Sequence, residues 1–224
     1  MKALVFDLDG VLVDVSRSYR EAIKMTVRHF AGVEISDRDI RIYKDRGGLN
    51  NDWDLTMAVL KDCSLSPSRS AVIRVFQNYY LGNDFDGLIK NEIWLLDRAV
   101  LEDLSDKFGL GIVTGRPRAE MRHTLRRFNV LSFFPVVVTM DDLPPGRGKP
   151  DPLGILQALS RLGHREGYYV GDTIDDMKAA LSAGLTPLGA LQAGGAGRGT
   201  KRALLAHGAA RVLTDINRIG EVLT

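Results

Sequence analysis

Ala3-Leu4-Val5-Phe6-Asp7-Leu8-Asp9-Gly10-Val11-Leu12-Val13-Asp14 is the stretch that decides the fold. Its first four residues form an apolar run with the length and composition of a buried strand. Two carboxylates stand just past that run, with a glycine directly behind them. In a parallel α/β sheet, the C-terminal end of the strands is where ligands bind. The i, i+2 spacing puts Asp7 and Asp9 on the same side of an extended backbone. Two like charges at that distance raise each other's pKa unless a cation lies between them. The pair therefore implies a metal ion, a proton held on one carboxylate, or both. Gly10 allows a sharp turn where a side chain would block an incoming anion.

Downstream the pattern turns helical. Tyr19, Ala22, Ile23, Val27 and Phe30 share one helical stripe, and Ser18 with Glu21 offers a capping box. A second helix is predicted from Ser36 to Arg46, ending at Gly47-Gly48. A third is predicted after Asn51 with Trp53, Met57 and Leu60, and a fourth from Ser66-Pro67 with Val72, Val75, Phe76 and Tyr79 inside. Between residues 16 and 87 nothing reads as a good strand. From about residue 95 onward, helix and strand alternate: strands are predicted at 110–113, 136–138 and 168–170, with weaker ones at 185–191 and 211–213. Helices with apolar stripes separate the first four of these. Alternation of this kind specifies a doubly wound, Rossmann-like parallel sheet. The fold class is thus α/β with an inserted all-helical cap domain, the core expected over 1–15 and 88–224 and the cap over 16–87. Gly194–Gly199 is a glycine-rich loop, and the order Thr200-Lys201 is the reverse of a nucleotide P-loop.

The chain of 224 residues is 45% hydrophobic and 26% charged, an ordinary globular balance. A net charge of +2 is near balance and gives no case for nucleic acid as a partner, which usually calls for a clustered basic face. Cys63 is the only cysteine, so no intrachain disulfide forms and a reducing cytoplasm suits the chain. The first strand begins almost at Met1, which leaves no room for a signal peptide. The longest apolar runs are too short to span a bilayer.

Three further strand ends carry polar residues. Val113-Thr114-Gly115-Arg116-Pro117 sets a hydroxyl and backbone N–H groups at a helix N-terminus, an anion site. Gly148-Lys149-Pro150 holds a lysine between a glycine and a proline. Gly171-Asp172-Thr173-Ile174-Asp175-Asp176 supplies three carboxylates after a strand and on a first helical turn. Parallel strands end on one edge, so the clusters can converge. Hard oxygen donors in that number suit Mg²⁺.

These four motifs, in this order, resemble those of the haloacid dehalogenase superfamily of phosphohydrolases, in the branch with a helical cap inserted after the first motif. The resemblance covers nearly the full length. It implies that Asp7 is the nucleophile, forming an aspartyl-phosphate, and that Asp9 is the general acid and base. It implies that Thr114 and Lys149 hold the phosphoryl oxygens, beside Gly10, Gly115 and Arg116. Asp7, the backbone carbonyl of Asp9, and Asp172 would bind Mg²⁺, with Asp176 acting through a metal-bound water. No role is carried onto Asp175. Dehalogenases of this superfamily lack the second aspartate of the first motif, so Asp9 points to a phosphate substrate.

Arg46-Gly47-Gly48-Leu49-Asn50-Asn51-Asp52-Trp53 is a polar stretch between two predicted helices. It is either a glycine-terminated helix followed by an asparagine cap, or a substrate-reading loop in which Arg46, Asn50 and Asn51 bond a polar leaving group beside Trp53. Asp14 is a helix cap or a substrate contact. The histidines show no ligand spacing, Arg122, Arg126 and Arg127 form a solvated face, and Cys63 is an unreactive cap residue. The expected activity is Mg²⁺-dependent hydrolysis of a small phosphorylated metabolite by a monomer or homodimer. A phosphomutase and a non-catalytic binding protein on the same fold are the alternatives.

Overall fold

The computed structural model describes residues 1–45, 49, 51–191 and 198–223. It divides into two compact units, one formed by Met1–Asp14 with Trp94–Thr224 and the other by Val15–Ile93.

The first unit is built on a sheet of six strands among the described residues: β1 (Lys2–Phe6), β2 (Phe108–Val113), β3 (Val136–Val138), β4 (Gly167–Gly171), β5 (Thr186–Ala190) and β6 (Arg211–Leu213). Their spatial order is β3-β2-β1-β4-β5-β6 and every neighbouring pair is parallel. The chain winds outward from β1 in one direction and returns to the other side of it. The order therefore reverses beside β1, and in open α/β sheets the strands' C-terminal ends at such a point are where ligands bind. Ala3 through Phe6 are fully buried, as a central strand covered on both faces requires. Ala3 and Val5 pack with Val113, Val136, Val138, Ile155, Leu159 and Tyr169 in one apolar cluster.

The second unit holds four helices: α1 (Tyr19–Ala31), α2 (Asp37–Asp45), α3 (Asp52–Asp62) and α4 (Arg69–Tyr80). Its interior is made by Ala22, Ile23 and Val27 of α1, Leu55 and Leu60 of α3, and Val72 and Phe76 of α4. The Tyr19 and Tyr80 rings stack at 4.2 Å. Asn51 caps α3, accepting from Trp53 N at 2.9 Å and Asp54 N at 3.2 Å. Two local expectations are corrected. Ser18 makes no cap bond to α1; its hydroxyl points instead to Val15 O and to the Glu92 carboxylate, each at 3.4 Å. The cap of α4 is Ser68, accepting from Ala71 N, not the Ser66-Pro67 pair.

In the first unit α5 (Arg98–Lys107), α6 (Arg118–Arg127), α7 (Leu153–Leu162), α8 (Ile174–Ser182) and α9 (Arg198–Ala206) flank the sheet. Pro117 and Thr173 are the N-cap residues of α6 and α8. Those two helix starts put the second and fourth motifs at the edge where β2 and β4 end. No described helix is long and apolar enough to cross a membrane.

Candidate active site

The end of β1 keeps its pairing one residue beyond the strand, since Asp7 N donates to Val170 O at 2.8 Å. Asp7 is thereby fixed at the switch point, with its side chain 7% exposed. Its Oδ1 accepts Leu8 N at 2.8 Å. Behind it Gly10, at φ 77°, closes a turn in which Leu12 N and Val13 N both reach Leu8 O. A left-handed residue is needed there, and glycine adopts it at no steric cost.

The lysine of the third motif comes from the loop before α7, at a cis Lys149–Pro150 peptide. Its buried ammonium lies 2.9 Å from Asp7 Oδ1 and 2.6 Å from Asp176 Oδ1, and it donates to the Tyr169 hydroxyl at 3.2 Å. Asp176 arrives from the first turn of α8. It forms a reciprocal capping box with Thr173: its Oδ2 accepts from Thr173 N, Thr173 Oγ1 and Asp172 N at 3.0, 2.6 and 3.2 Å, while Asp176 N donates back to Thr173 Oγ1. Gly171 makes this approach possible, because a Cβ there would meet Asp176 Cβ at 2.3 Å.

Charge in this cluster is unbalanced. Burial pushes the Asp7 carboxyl well above the usual carboxylate range; Lys149 opposes that shift, and Asp176, Asp172 and Asp9 reinforce it. Burial also works against ionised Lys149, yet Asp176 and Asp7 hold its pKa well above the ordinary lysine value. Asp176, buried as well, is kept below the usual range by Lys149 and the Thr173 bonds. One cation thus faces several carboxylates.

Asp7, Asp172 and Asp176 each bring an oxygen within 4.8 Å of the others. An all-oxygen carboxylate set with surplus negative charge fits a hard divalent cation such as Mg²⁺. Asp176 accepts from Lys149, Tyr169 and the start of α8, and Asp172 is half-buried.

Thr114 is buried at the end of β2, and its hydroxyl accepts Arg116 N at 3.1 Å. A Cβ added at Gly115 would meet nothing within 4 Å, so open space adjoins this turn. The Arg116 guanidinium is taken up by side-chain partners. It is buried, forks onto the Asp9 carboxylate, and donates to Thr124 Oγ1 at 2.8 Å. Asp175, the acid given no role, is buried on α8.

In the helical unit, Asn51 spends its side-chain oxygen on capping α3. The guanidinium of Arg69 covers the Trp53 ring at 5.7 Å from the ring centre. Arg46 and Asn50 lie outside the described residues, as do Gly47 and Gly48. Sequence reasoning missed Tyr169. The sequence places it only within the strand at 168–170, yet its hydroxyl lies between Lys149 and Asp176, donating to Asp176 Oδ1 at 3.2 Å. The available signal was an aromatic hydroxyl in a strand that leads into the fourth motif.

Comparison with known proteins gives the family and the fold. The sequence model of the haloacid dehalogenase-like hydrolase family matches residues 1–184. The chain is 39% identical over 201 residues to an imidazoleglycerol-phosphate dehydratase of Phytophthora nicotianae. That match takes in 85% of this chain and 43% of the relative, so the chain spans under half of that protein's length. It is 28% identical over 187 residues to a phosphoglycolate phosphatase of Aquifex aeolicus, covering 82% of each. A haloacid dehalogenase-like family protein of Streptococcus pneumoniae, 21% identical, shares the fold with a TM-score of 0.77 over 99% of this chain and 98% of that one. With the family match extending over most of its length, the chain belongs to the haloacid dehalogenase-like hydrolases and is an enzyme of that family.

Proposed function

We propose that the chain is a Mg²⁺-dependent phosphoric monoester hydrolase acting on a small phosphorylated metabolite through an aspartyl-phosphate at Asp7. The observation that carries this reading is the buried ammonium of Lys149, held 2.9 Å from Asp7 and 2.6 Å from Asp176 at the switch point of the sheet. A buried cation beside a carboxylate nucleophile is what a transferring phosphoryl group needs, since its transition state is stabilised mainly by positioning and charge neutralisation.

In the first step a carboxylate oxygen of Asp7 bonds to phosphorus as the bond from phosphorus to the leaving oxygen breaks. Asp9 gives its proton to that oxygen. In the second step Asp9 takes a proton from water, the water oxygen bonds to phosphorus, and the acyl-phosphate bond breaks to return Asp7 as a carboxylate. Lys149, the Thr114 hydroxyl and the turn at Gly115 hold the phosphoryl oxygens. Asp7, the main-chain carbonyl of Asp9, and Asp172 would hold Mg²⁺, with Asp176 set behind them, and the ion would supply positive charge to the phosphoryl oxygens when bound.

Substrate choice is assigned to Arg46, Asn50 and Trp53 of the helical unit; Asn51 is already engaged as a cap. One relative is named for an imidazoleglycerol phosphate and is more than twice as long as its matched region. That pairing favours an imidazole-bearing alkyl phosphate as the first compound to try, with phosphoglycolate second. The test is release of inorganic phosphate from a panel of phosphorylated metabolites, with Mg²⁺ and with excess chelator. The reading predicts turnover of at least one alkyl phosphate, abolished by chelator. Full turnover in chelator, or isomerised product in place of free phosphate, contradicts it. Arg46→Ala and Asn50→Ala should lower kcat/KM for the preferred ester while sparing a small aryl phosphate.

A further inference from the structure

Arg116 was expected to contact phosphate, and its surroundings assign it different work. It is the largest of the fully buried side chains, 1% exposed. Its Nε lies 2.9 Å from Asp9 Oδ1 and 3.1 Å from Oδ2, and Nη2 makes a further contact with Oδ1. Nη1 donates to Thr124 Oγ1 at 2.8 Å, and Thr124 is itself buried on α6. The backbone on either side is tied down too: Arg116 N donates to Thr114 Oγ1, and Arg116 O accepts Met140 N. A guanidinium fork fixes the plane of the carboxylate it grips, which a single ammonium does not. The Asp9 side chain is 27% exposed, so one side of it stays open while the other is clamped.

We propose that Arg116, locked to α6 through Thr124, is a positioning residue that sets the orientation of the Asp9 carboxylate and does not itself bind the substrate phosphate. The proposal rests on the phosphatase reading above. Asp9 handles a proton in both steps, so a misoriented Asp9 should hurt only the steps that need that proton. An ester with a poor leaving group needs protonation; a dinitrophenyl ester does not. In a two-step displacement, kcat/KM reports the steps up to leaving-group departure, whereas kcat includes hydrolysis of the phosphoenzyme.

The experiment compares wild type, Arg116→Ala, Arg116→Lys and Thr124→Val on an alkyl phosphate and on dinitrophenyl phosphate, with inhibition by inorganic phosphate measured for each. Arg116→Ala should lose roughly 10²-fold in kcat/KM for the alkyl ester, the cost of a misplaced catalytic group. Its kcat/KM for the dinitrophenyl ester should fall less than about threefold, because that leaving group needs no general acid. Its kcat on the dinitrophenyl ester should still fall, giving a burst of dinitrophenolate followed by slow turnover. Phosphate inhibition should stay unchanged. Arg116→Lys, which keeps the charge and loses the fork, should remain impaired on the alkyl ester, and added guanidinium ion should restore part of the activity of Arg116→Ala. Thr124→Val should show the same selective loss more weakly, and it serves if Arg116→Ala fails to fold. Equal loss of kcat/KM on both esters, weakened phosphate inhibition, or full activity of Arg116→Lys overturns the proposal. A wild type inactive on both esters overturns the phosphatase reading and this proposal with it; an active wild type with uniform losses in the variants overturns this proposal alone.

Discussion

The α/β unit and the helical unit bury polar groups in different company. In the α/β unit, Asp7, Asp176, Lys149 and Arg116 are buried ionisable groups from four segments: Lys149 faces Asp7 and Asp176, and Arg116 faces Asp9. In the helical unit the buried hydroxyls of Thr26 and Thr56 bond main-chain carbonyls four residues earlier, at 2.7 Å each. The one buried acid among the described residues there, Glu92, accepts from Tyr80 and Ser18. Buried opposed charges are a weak source of stability, since desolvation consumes most of the attraction. Buried neutral hydrogen bonds are satisfied locally and hold a fold. The difference separates a region arranged for chemistry from a region arranged for its own packing, and substitutions can pull the two apart.

The largest effects should fall on the charged cluster. Asp7→Asn should abolish turnover, and Asp9→Asn should slow it by roughly 10²–10⁴-fold, the usual worth of a positioned acid or base. Steady-state kinetics on an alkyl phosphate checks both. Lys149→Ala should lose more activity than Thr114→Ala, because a buried cation contributes more than a hydroxyl. It should also lose stability, since stripping one partner from a buried ion pair costs about 3–5 kcal/mol. Comparable small losses at Lys149 and Thr114 would contradict the charge argument.

Metal binding should follow with a defined pH dependence. Burial and the neighbouring carboxylates raise Asp7 above the usual range, so the folded protein without metal keeps a proton there that an unfolded chain would release. Mg²⁺ must displace that proton. Its affinity should therefore rise with pH from the ordinary carboxylate range up to the raised pKa of Asp7 and level off above it. Calorimetry at several pH values, with proton release read from buffers of different ionisation enthalpy, tests the sign. Asp172→Ala should remove the binding.

Smaller effects should fall on supporting groups. Tyr169→Phe removes a hydroxyl shared by Lys149 and Asp176, and a loss near tenfold in kcat matches about one hydrogen bond to a charged group. In the helical unit the pattern should reverse. Glu92→Ala removes an acceptor shared by Tyr80 and Ser18, and losing a buried hydrogen bond to a charged group costs about 1.5–3 kcal/mol. Asn51→Ala removes the α3 cap at about 1 kcal/mol. Thermal melts should register both, while kcat on an aryl phosphate stays near wild type. A kinetic collapse at Glu92 without a change in melting temperature would break the contrast.

Much of the α/β unit was legible because its signals are local. An apolar run followed by Asp7 and Asp9, or Val136 through Val138 between helical stripes, needs no distant partner to be read. The weak run near residue 186 also proved to be a parallel strand, β5. What escaped reading depends on residues far apart in the chain. Arg116 beside a helix start suggests an anion, and only the fold brings Asp9, 107 positions away, under its fork. Ser18 with Glu21 fits a capping box, but Ser18 finds Glu92, 74 positions on, and Glu21 pairs with Lys24. Tyr169 shows the same limit inside a strand. The strand pattern places the ring in the sheet, while its hydroxyl partners come from the loop before α7 and the first turn of α8.

The central claim is that Asp7 carries the phosphoryl group, and rapid quenching tests it most directly. Wild-type protein would be mixed with substrate and Mg²⁺, quenched in acid during turnover, digested, and mapped by mass spectrometry. The account predicts one phosphoryl group on the peptide containing Asp7, labile to hydroxylamine as an acyl phosphate is, and absent from Asp7→Asn. Steady turnover by wild type with phosphate on a different residue, or undiminished turnover by Asp7→Asn, would contradict it.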